Sequence, residues 1–399
     1  MAGYRELFGT PGVARIIAAQ LTARVPQGML SLSLLIHIES IYGNYGSAGL
    51  VLGAMSVGQA VAGPLTSRWM GAWGMRRVLT LTSAVFIAAV LVIALVPMAI
   101  WGAMAVALAA GLANPPIVSA VRTIYPKMVT ASMLGPLYSL DAALQELLWI
   151  GGPVIATFLA TQVSPVVALL TAMAFAVGGG AWFILSPELG RVRIPPPKGG
   201  VGAVLRKPVI LIMTVLGFLV VGNCAAIEAG VVSIYGDGGP QAGIVIAVWS
   251  VGSFAGGLVL GRRPISRWSL AIRLGIMTLG SALAMISLEM WWLMPMLLVA
   301  GIGIAPSLAV MSAAVSTSVR FSETAEAYGW TGTGQLIGAA LGSAVAGFLI
   351  DGIGSIGGFL TATALVAVGI GIAAGTTRWM PDLRGDVGPS PDTAPLKTV

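Results

Sequence analysis

The sequence predicts an all-α membrane protein of twelve transmembrane helices, arranged as two six-helix pseudo-repeats. Three observations predict it. About twelve apolar segments follow one another through the 399 residues, the basic residues gather on one side of that ladder, and its second half repeats the first at a near-constant offset.

The apolar segments run over 12–36, 46–66, 78–97, 99–121, 134–160, 164–185, 208–234, 241–261, 268–288, 292–318, 328–350 and 355–376. Each is near the ~20 residues that cross a hydrocarbon core. With 57% hydrophobic and 9% charged residues and a mean hydropathy of +0.94, the chain is far from a soluble globular protein, in which about 25% of residues are charged. The runs are continuous rather than alternating, so helices and not barrel strands must satisfy the backbone in lipid. The first run contains Arg24 and leads into another span rather than a small-residue cleavage site, so it reads as a span and not a signal peptide.

Basic residues in short loops stay in the cytoplasm. Arg68, Arg76 and Arg77 follow span two, and Arg122 and Lys127 follow span four. Arg191, Arg193, Lys198, Arg206 and Lys207 follow span six, Arg262, Arg263 and Arg267 follow span eight, Arg320 follows span ten, and Arg378, Arg384 and Lys397 follow span twelve. The alternate loops hold only acids such as Glu39, Asp237, Glu289 and Asp351. A multi-pass protein of the cytoplasmic membrane with both termini in the cytoplasm is expected, and the net charge of +7 follows from that topology. Basic residues scattered among turns do not make the single face that nucleic acid requires.

The lone Cys224 and the lone His37 provide neither a disulfide nor a metal cluster, and no cofactor is implied. No G-x-x-x-x-G-K-[ST], H-E-x-x-H or G-x-S-x-G occurs, which argues against a nucleotide-driven pump and against an intramembrane enzyme.

Residues 186–207 are polar, basic and rich in Pro and Gly, and divide the chain into six-helix bundles at 1–185 and 208–380, with a tail from 381 to 399 expected to be disordered. Ser40-Ile41-Tyr42-Gly43 recurs as Ser233-Ile234-Tyr235-Gly236, an offset of 193. Ser56, Gly58 and Gly63 recur as Ser250, Gly252 and Gly257 at 194, and Tyr138, Gln145, Gly152 and Ala156 recur as Tyr328, Gln335, Gly342 and Ala346 at 190. Six spans is an even number, so both units start on the same side and the repeat is parallel, as in the halves of rocker-type secondary transporters. Small-residue stripes such as Gly334, Gly338, Gly342 and Ala346 suit either a surface on which the halves rock or static helix packing.

Twelve spans, a 6+6 parallel repeat and a basic central loop resemble the major facilitator superfamily. Its signature between spans two and three, G-x-x-x-D-[RK]-x-G-R-[RK], is approached by Gly63-Pro64-Leu65-Thr66-Ser67-Arg68 followed by Gly74-Met75-Arg76-Arg77. Ser67 stands where the family usually has Asp, which removes the acid expected in its charge latch. Gly63, Arg68, Gly74, Arg76, Arg77 and Arg122 are the expected conformational gate. Gly151-Gly152-Pro153 in span five resembles the glycine-proline motif of the family's antiporters. The resemblance implies a twelve-span bacterial exporter working by alternating access, with a small-molecule substrate, protons and membrane lipid as partners, and a monomer is expected. The alternative is a proton-coupled or facilitative transporter of a polar metabolite, such as a sugar or organic anion; a channel is disfavoured by the repeat.

Charges within spans are costly and face a cavity or a partner. Arg24 in span one, Asp141 and Glu146 in span five and Glu228 in span seven are such charges, whereas their repeat mates Gly217, Thr331, Leu336 and Leu35 are neutral, as is Ser312, the mate of Arg122. Counting 1.5 Å per residue, Arg24 and Glu146 both sit roughly 18 Å deep, so an Arg24–Glu146 pair is expected, with Asp141 a second partner for Arg24 or for Arg122. Glu146, Asp141 and Arg24 are candidates for proton coupling, because a carboxyl whose partner moves binds protons differently in each state. Permanent structural pairing is the competing reading. Arg24, Asn114 beside Pro115-Pro116, Gln145, Trp149, Glu228 and Gln335 are candidate cavity residues, with core packing the stronger expectation for Trp149.

Overall fold

The computed structural model describes residues 4–196, 199–235 and 240–384. Lys198, Gly236, Asp237 and Lys397 lie outside the described residues. Twelve principal helices follow in order: α1 (Val13–Tyr42), α2 (Tyr45–Trp73), α3 (Met75–Leu95), α4 in two pieces (Ile100–Leu112 and Ile117–Met128), α5 (Ala131–Gln162) and α6 (Pro165–Leu185). The second half holds α7 (Pro208–Tyr235), α8 (Pro240–Leu260), α9 (Ser269–Ala284), α10 in two pieces (Met290–Ile302 and Ile304–Ser318), α11 (Phe321–Ile353) and α12 (Ile356–Gly375). Among the described residues, ten helices are long and apolar enough to cross a membrane. The other two are α1, diluted by Arg15, Arg24 and Glu39, and α9, apolar but only 16 residues long. Phe348 at 80% and Trp101 at 74% exposure illustrate the outer apolar belt, as expected where lipid is the solvent.

Local chemistry sets the helix ends. Asn44 caps α2 by accepting the Ser47 N–H at 2.7 Å, and Ser164 caps α6 by accepting the Val167 N–H at 3.1 Å. The break in α4 falls at Asn114-Pro115-Pro116, where two residues lack an N–H, and the matching break in α10 falls at Gly303.

Glycines decide which helices touch. Gly28 of α1 lies against Gly152 of α5, where a Cβ on Gly28 would come within 3.2 Å of the Gly152 Cα. The repeat reproduces this crossing at Gly222 of α7 and Gly342 of α11. The stripe of Gly334, Gly338 and Gly342 therefore packs on Thr214, Phe218 and Gly222 within one half. It is static packing and not a surface on which the halves rock.

The residues joining α6 to α7 mark one end of the bundle, called here the linker end. Arg15 pairs with Glu188, Arg76 donates to the Ser186 carbonyl at 3.0 Å, and Lys207 pairs with Glu323. Among the described residues, the hydrogen bonds and ion pairs between the halves run from this end to mid-helix, and none lies on the far side of Glu146, midway along α5. The chain does not leave the fold at Pro381, because the Leu383 N–H donates to the Ile265 carbonyl at 2.9 Å. Beside it, Arg384 holds the half-buried Asp382 carboxyl down at about 2.

Candidate functional site

The Gly28–Gly152 crossing draws α1 against α5 and sets the distance at which their polar side chains meet. Asp141 of α5 is fully buried and is met by four donor side chains. Its Oδ1 accepts from Gln20 Nε2 at 3.0 Å and from the Tyr125 hydroxyl at 3.1 Å, and its Oδ2 accepts from Arg122 Nε at 3.1 Å. Arg24, 1% exposed, reaches the same carboxylate at 3.5 Å. Its guanidinium also donates to Gln20 Oε1 at 2.9 Å and to Gln145 Oε1. Every member of this cluster belongs to the first half.

The expected Arg24–Glu146 pair does not form. Depth matches, but direction does not. Glu146 is five residues beyond Asp141, which turns it about 140° around the helix, whereas Gln145, at four residues, is displaced by only about 40°. Glu146 accordingly faces the second half, where the Ser253 hydroxyl of α8 donates to its Oε1 at 2.8 Å. The same oxygen of Ser253 accepts the Ala305 N–H at 3.2 Å, one of the free donors at the start of the second piece of α10. Glu228 of α7 lies within electrostatic range of Glu146 and is exposed.

Below Glu146 the halves lock. Tyr138 donates to the Arg122 carbonyl at 3.0 Å, Tyr328 donates to the Ser312 carbonyl at 2.7 Å, and the two hydroxyl oxygens stand 2.9 Å apart. These are repeat mates bonded to repeat mates, so the pseudo-twofold axis passes between the rings. Each hydroxyl has one proton, and a bond between the tyrosines is made at the expense of one carbonyl bond. Gly63 and Gly329 pack backbone to backbone, with the Gly63 carbonyl 2.6 Å from where a Cβ on Gly329 would stand. Arg68 pairs with Glu326 of α11 at 2.8 Å and donates to the Gly199 and Gly200 carbonyls, while the second Glu326 oxygen accepts the Gly202 N–H at 2.8 Å. The acid that is missing at Ser67 is thus supplied by the opposite half.

Other candidates fall in different places. Arg122 belongs to the Asp141 cluster rather than to the linker-end gate. Gly74 starts α3 at a φ of 89°, which requires glycine, and Arg77 is exposed. Trp149 is 52% exposed and does not pack into a core. Asn114 is half-buried in the α4 break, its N–H donating to the Gly111 carbonyl at 3.0 Å. Gln335 lines a cavity described below. Ser253, Glu326 and Gln20 carry no sequence signal beyond polarity within or beside a span. Arg273 does: it is a buried cation inside α9, and it donates to the Pro306 carbonyl at 2.7 Å and to the Leu260 carbonyl, at the C-terminal end of α8, at 3.3 Å.

A family model described as Major Facilitator Superfamily matches residues 16–263. The chain belongs to that superfamily. No curated protein sequence matches this superfamily member. Among solved structures, it resembles the human organic anion transporter MFSD10 (TETRAN), with a TM-score of 0.71 and 17% identity over 90% of this chain and 99% of that one. It also resembles a bacterial homologue of the iron transporter ferroportin in an outward-facing state, with a TM-score of 0.72 and 12% identity over 92% of this chain and 98% of that one. The major facilitator fold and a secondary-transporter role follow.

Proposed function

We propose that this protein exports a small molecule across the cytoplasmic membrane in exchange for protons, with Glu146 as the coupling carboxylate. The basic residues of the linker end orient that end to the cytoplasm, so the arrangement described is closed inside. The observation that carries the reading is the Ser253–Glu146 bond, the one hydrogen bond among the described residues that runs from the middle of one half to the other and ends on an acid.

Opening the linker end separates α5 from α8 and breaks that bond. The ionised carboxylate then loses a charge-assisted hydrogen bond, worth about 1.5–3 kcal/mol, whereas a protonated one loses only a weaker neutral bond. Protonation therefore favours the inside-open state and ionisation the inside-closed state. A proton taken from outside is carried inward on the stroke that reloads the outward-moving solute. Asp141, held by donors from its own half alone, keeps its partners in both states and acts as structure.

The test is transport in proteoliposomes containing a pH-sensitive dye, with cationic, neutral and anionic solutes added under an imposed proton gradient. Solute-triggered proton movement is expected in the wild type and not in Glu146→Gln, while the variant still exchanges labelled solute. Unchanged proton movement in a folded Glu146→Gln protein would remove Glu146 from the role.

A further inference from the structure

The Asp141 cluster has a counterpart in the second half that holds no charge. Moved by the repeat offset of 190, Arg122, Tyr125, Asp141 and Gln145 fall on Ser312, Val315, Thr331 and Gln335. All four of these mates line one small cavity between the second piece of α10 and α11. Arg24 maps to Gly217, and a Cβ on Gly217 would already stand 3.2 Å from the Gln335 Cγ. Short side chains thus leave open, in one half, the space that charged side chains fill in the other. From the first half Arg122 itself reaches across with Val118, and Leu308, Met311, Tyr328 and Gly332 complete the lining.

Charge balance points the same way. Among the described residues, Arg24 and Arg122 form ion pairs with one carboxylate only, that of Asp141, so two buried guanidiniums face a single negative charge. Arg122 binds Asp141 through Nε, and its terminal nitrogens, unlike those of Arg24, are engaged by no side chain among the described residues. Ser312 and Thr331 spend their hydroxyl protons on the Leu308 and Ala327 carbonyls. The Gln335 amide has no such internal partner among the described residues. A buried surplus of positive charge is costly unless an anion balances it, and a guanidinium edge matches a carboxylate in a two-bond fork. The cavity volume of about 30 Å³ exceeds the ~10–15 Å³ that a water needs. It suits one small anionic group rather than a whole drug-sized molecule.

We propose that this cavity seats the carboxylate of a transported organic acid, bound by the terminal nitrogens of Arg122 from one half and by the Gln335 amide from the other. The assignment rests on the transporter reading and names its substrate class. A ligand held by both halves closes the linker end in the way the Tyr138–Tyr328 contact does, and it leaves when Arg122 and Gln335 part.

The test is binding to the purified full-length protein in detergent at fixed pH, read by thermal stabilisation. The probes are a series of monocarboxylates from acetate to naphthoate, each paired with its neutral primary amide, alongside chloride. The carboxylates are expected to stabilise the protein saturably, and their amides to bind at least tenfold more weakly. Gln335→Leu is expected to weaken carboxylate binding about tenfold while the unliganded midpoint stays near that of the wild type, and Val315→Phe, which fills the cavity, to abolish it. No saturable stabilisation by any carboxylate at millimolar concentration would overturn the proposal. Equal effects of acids and amides would also do so, and so would stabilisation by chloride alone, which would make the seat an inorganic-anion site. Because no proton movement is measured, carboxylate binding without proton coupling would leave this site standing and remove the antiport mechanism, and the reverse result would do the opposite.

Discussion

The two halves share a scaffold and solve the same position in opposite ways. In the first half, Asp141, Arg24, Arg122, Gln20 and Tyr125 fill the space between α1, α4 and α5 with a closed polar network. In the second, Thr331, Gly217, Ser312 and Val315 leave the equivalent space partly empty. A repeat that kept both sides charged would have to bury twice the charge. One that kept neither would have no means of recognising a polar solute. On the proposal above, the first half is the cation-bearing wall and the second the recess that closes on it.

The sharpest way to break this comparison is to make matched changes in both halves. Asp141→Asn leaves two buried guanidiniums without a counter-charge and is expected to cost about 3–5 kcal/mol. Thr331→Val at the mate removes a hydroxyl bonded only within its own helix, and is expected to cost about 1 kcal/mol or less. Thermal unfolding in the same detergent checks both, and similar losses would mean that the two regions are not energetically distinct. A second change reverses the asymmetry. Thr331→Asp places a carboxylate in the recess that Arg122 lines, so the protein would carry its own anion there. It is expected to bind carboxylates at least tenfold more weakly, a change of about 1.4 kcal/mol, and to hold the linker end closed, as read by spin-label distances between the linker-end termini of α2 and α11. The smallest effect lies on the axis itself. Tyr138→Phe and Tyr328→Phe are each expected to destabilise the closed state by about 0.5–1.5 kcal/mol, and the double variant by less than the sum, because the two hydroxyls share one contact. Additive losses would show that each tyrosine acts only on its own carbonyl.

Much of the architecture was legible before any coordinates. Apolar runs, the one-sided placement of Lys and Arg, and an offset near 190 place the helices and pair the halves, because each depends only on chain position and side-chain polarity. Buried charges were legible for the same reason, and Arg24, Asp141 and Glu146 stand out in apolar surroundings. What the residues do not disclose is azimuth. A depth count places Arg24 level with Glu146, and only the rotation of α5 gives Arg24 to Asp141 and Gln145 instead. Partners supplied by the other half were equally hidden: Ser253 is one serine among many, and Glu326 sits near a helix start where an acid is unremarked. The substitution at Ser67 pointed to a missing latch, but an acid 258 residues away from Arg68 takes up the charge. The cavity was hardest to foresee, since it consists of what five small or neutral side chains fail to fill.

The self-contained network around Asp141 also bears on how the protein is made. Gln145 follows Arg24 by 121 residues. At about 5–20 residues per second, synthesis of that stretch takes roughly 6–24 s. Until α5 is made, Arg24 has the Gln20 side chain of its own helix but not its carboxylate partner Asp141. An intramembrane guanidinium without its counter-charge is costly, so α1 is expected to settle in the bilayer only together with α4 and α5.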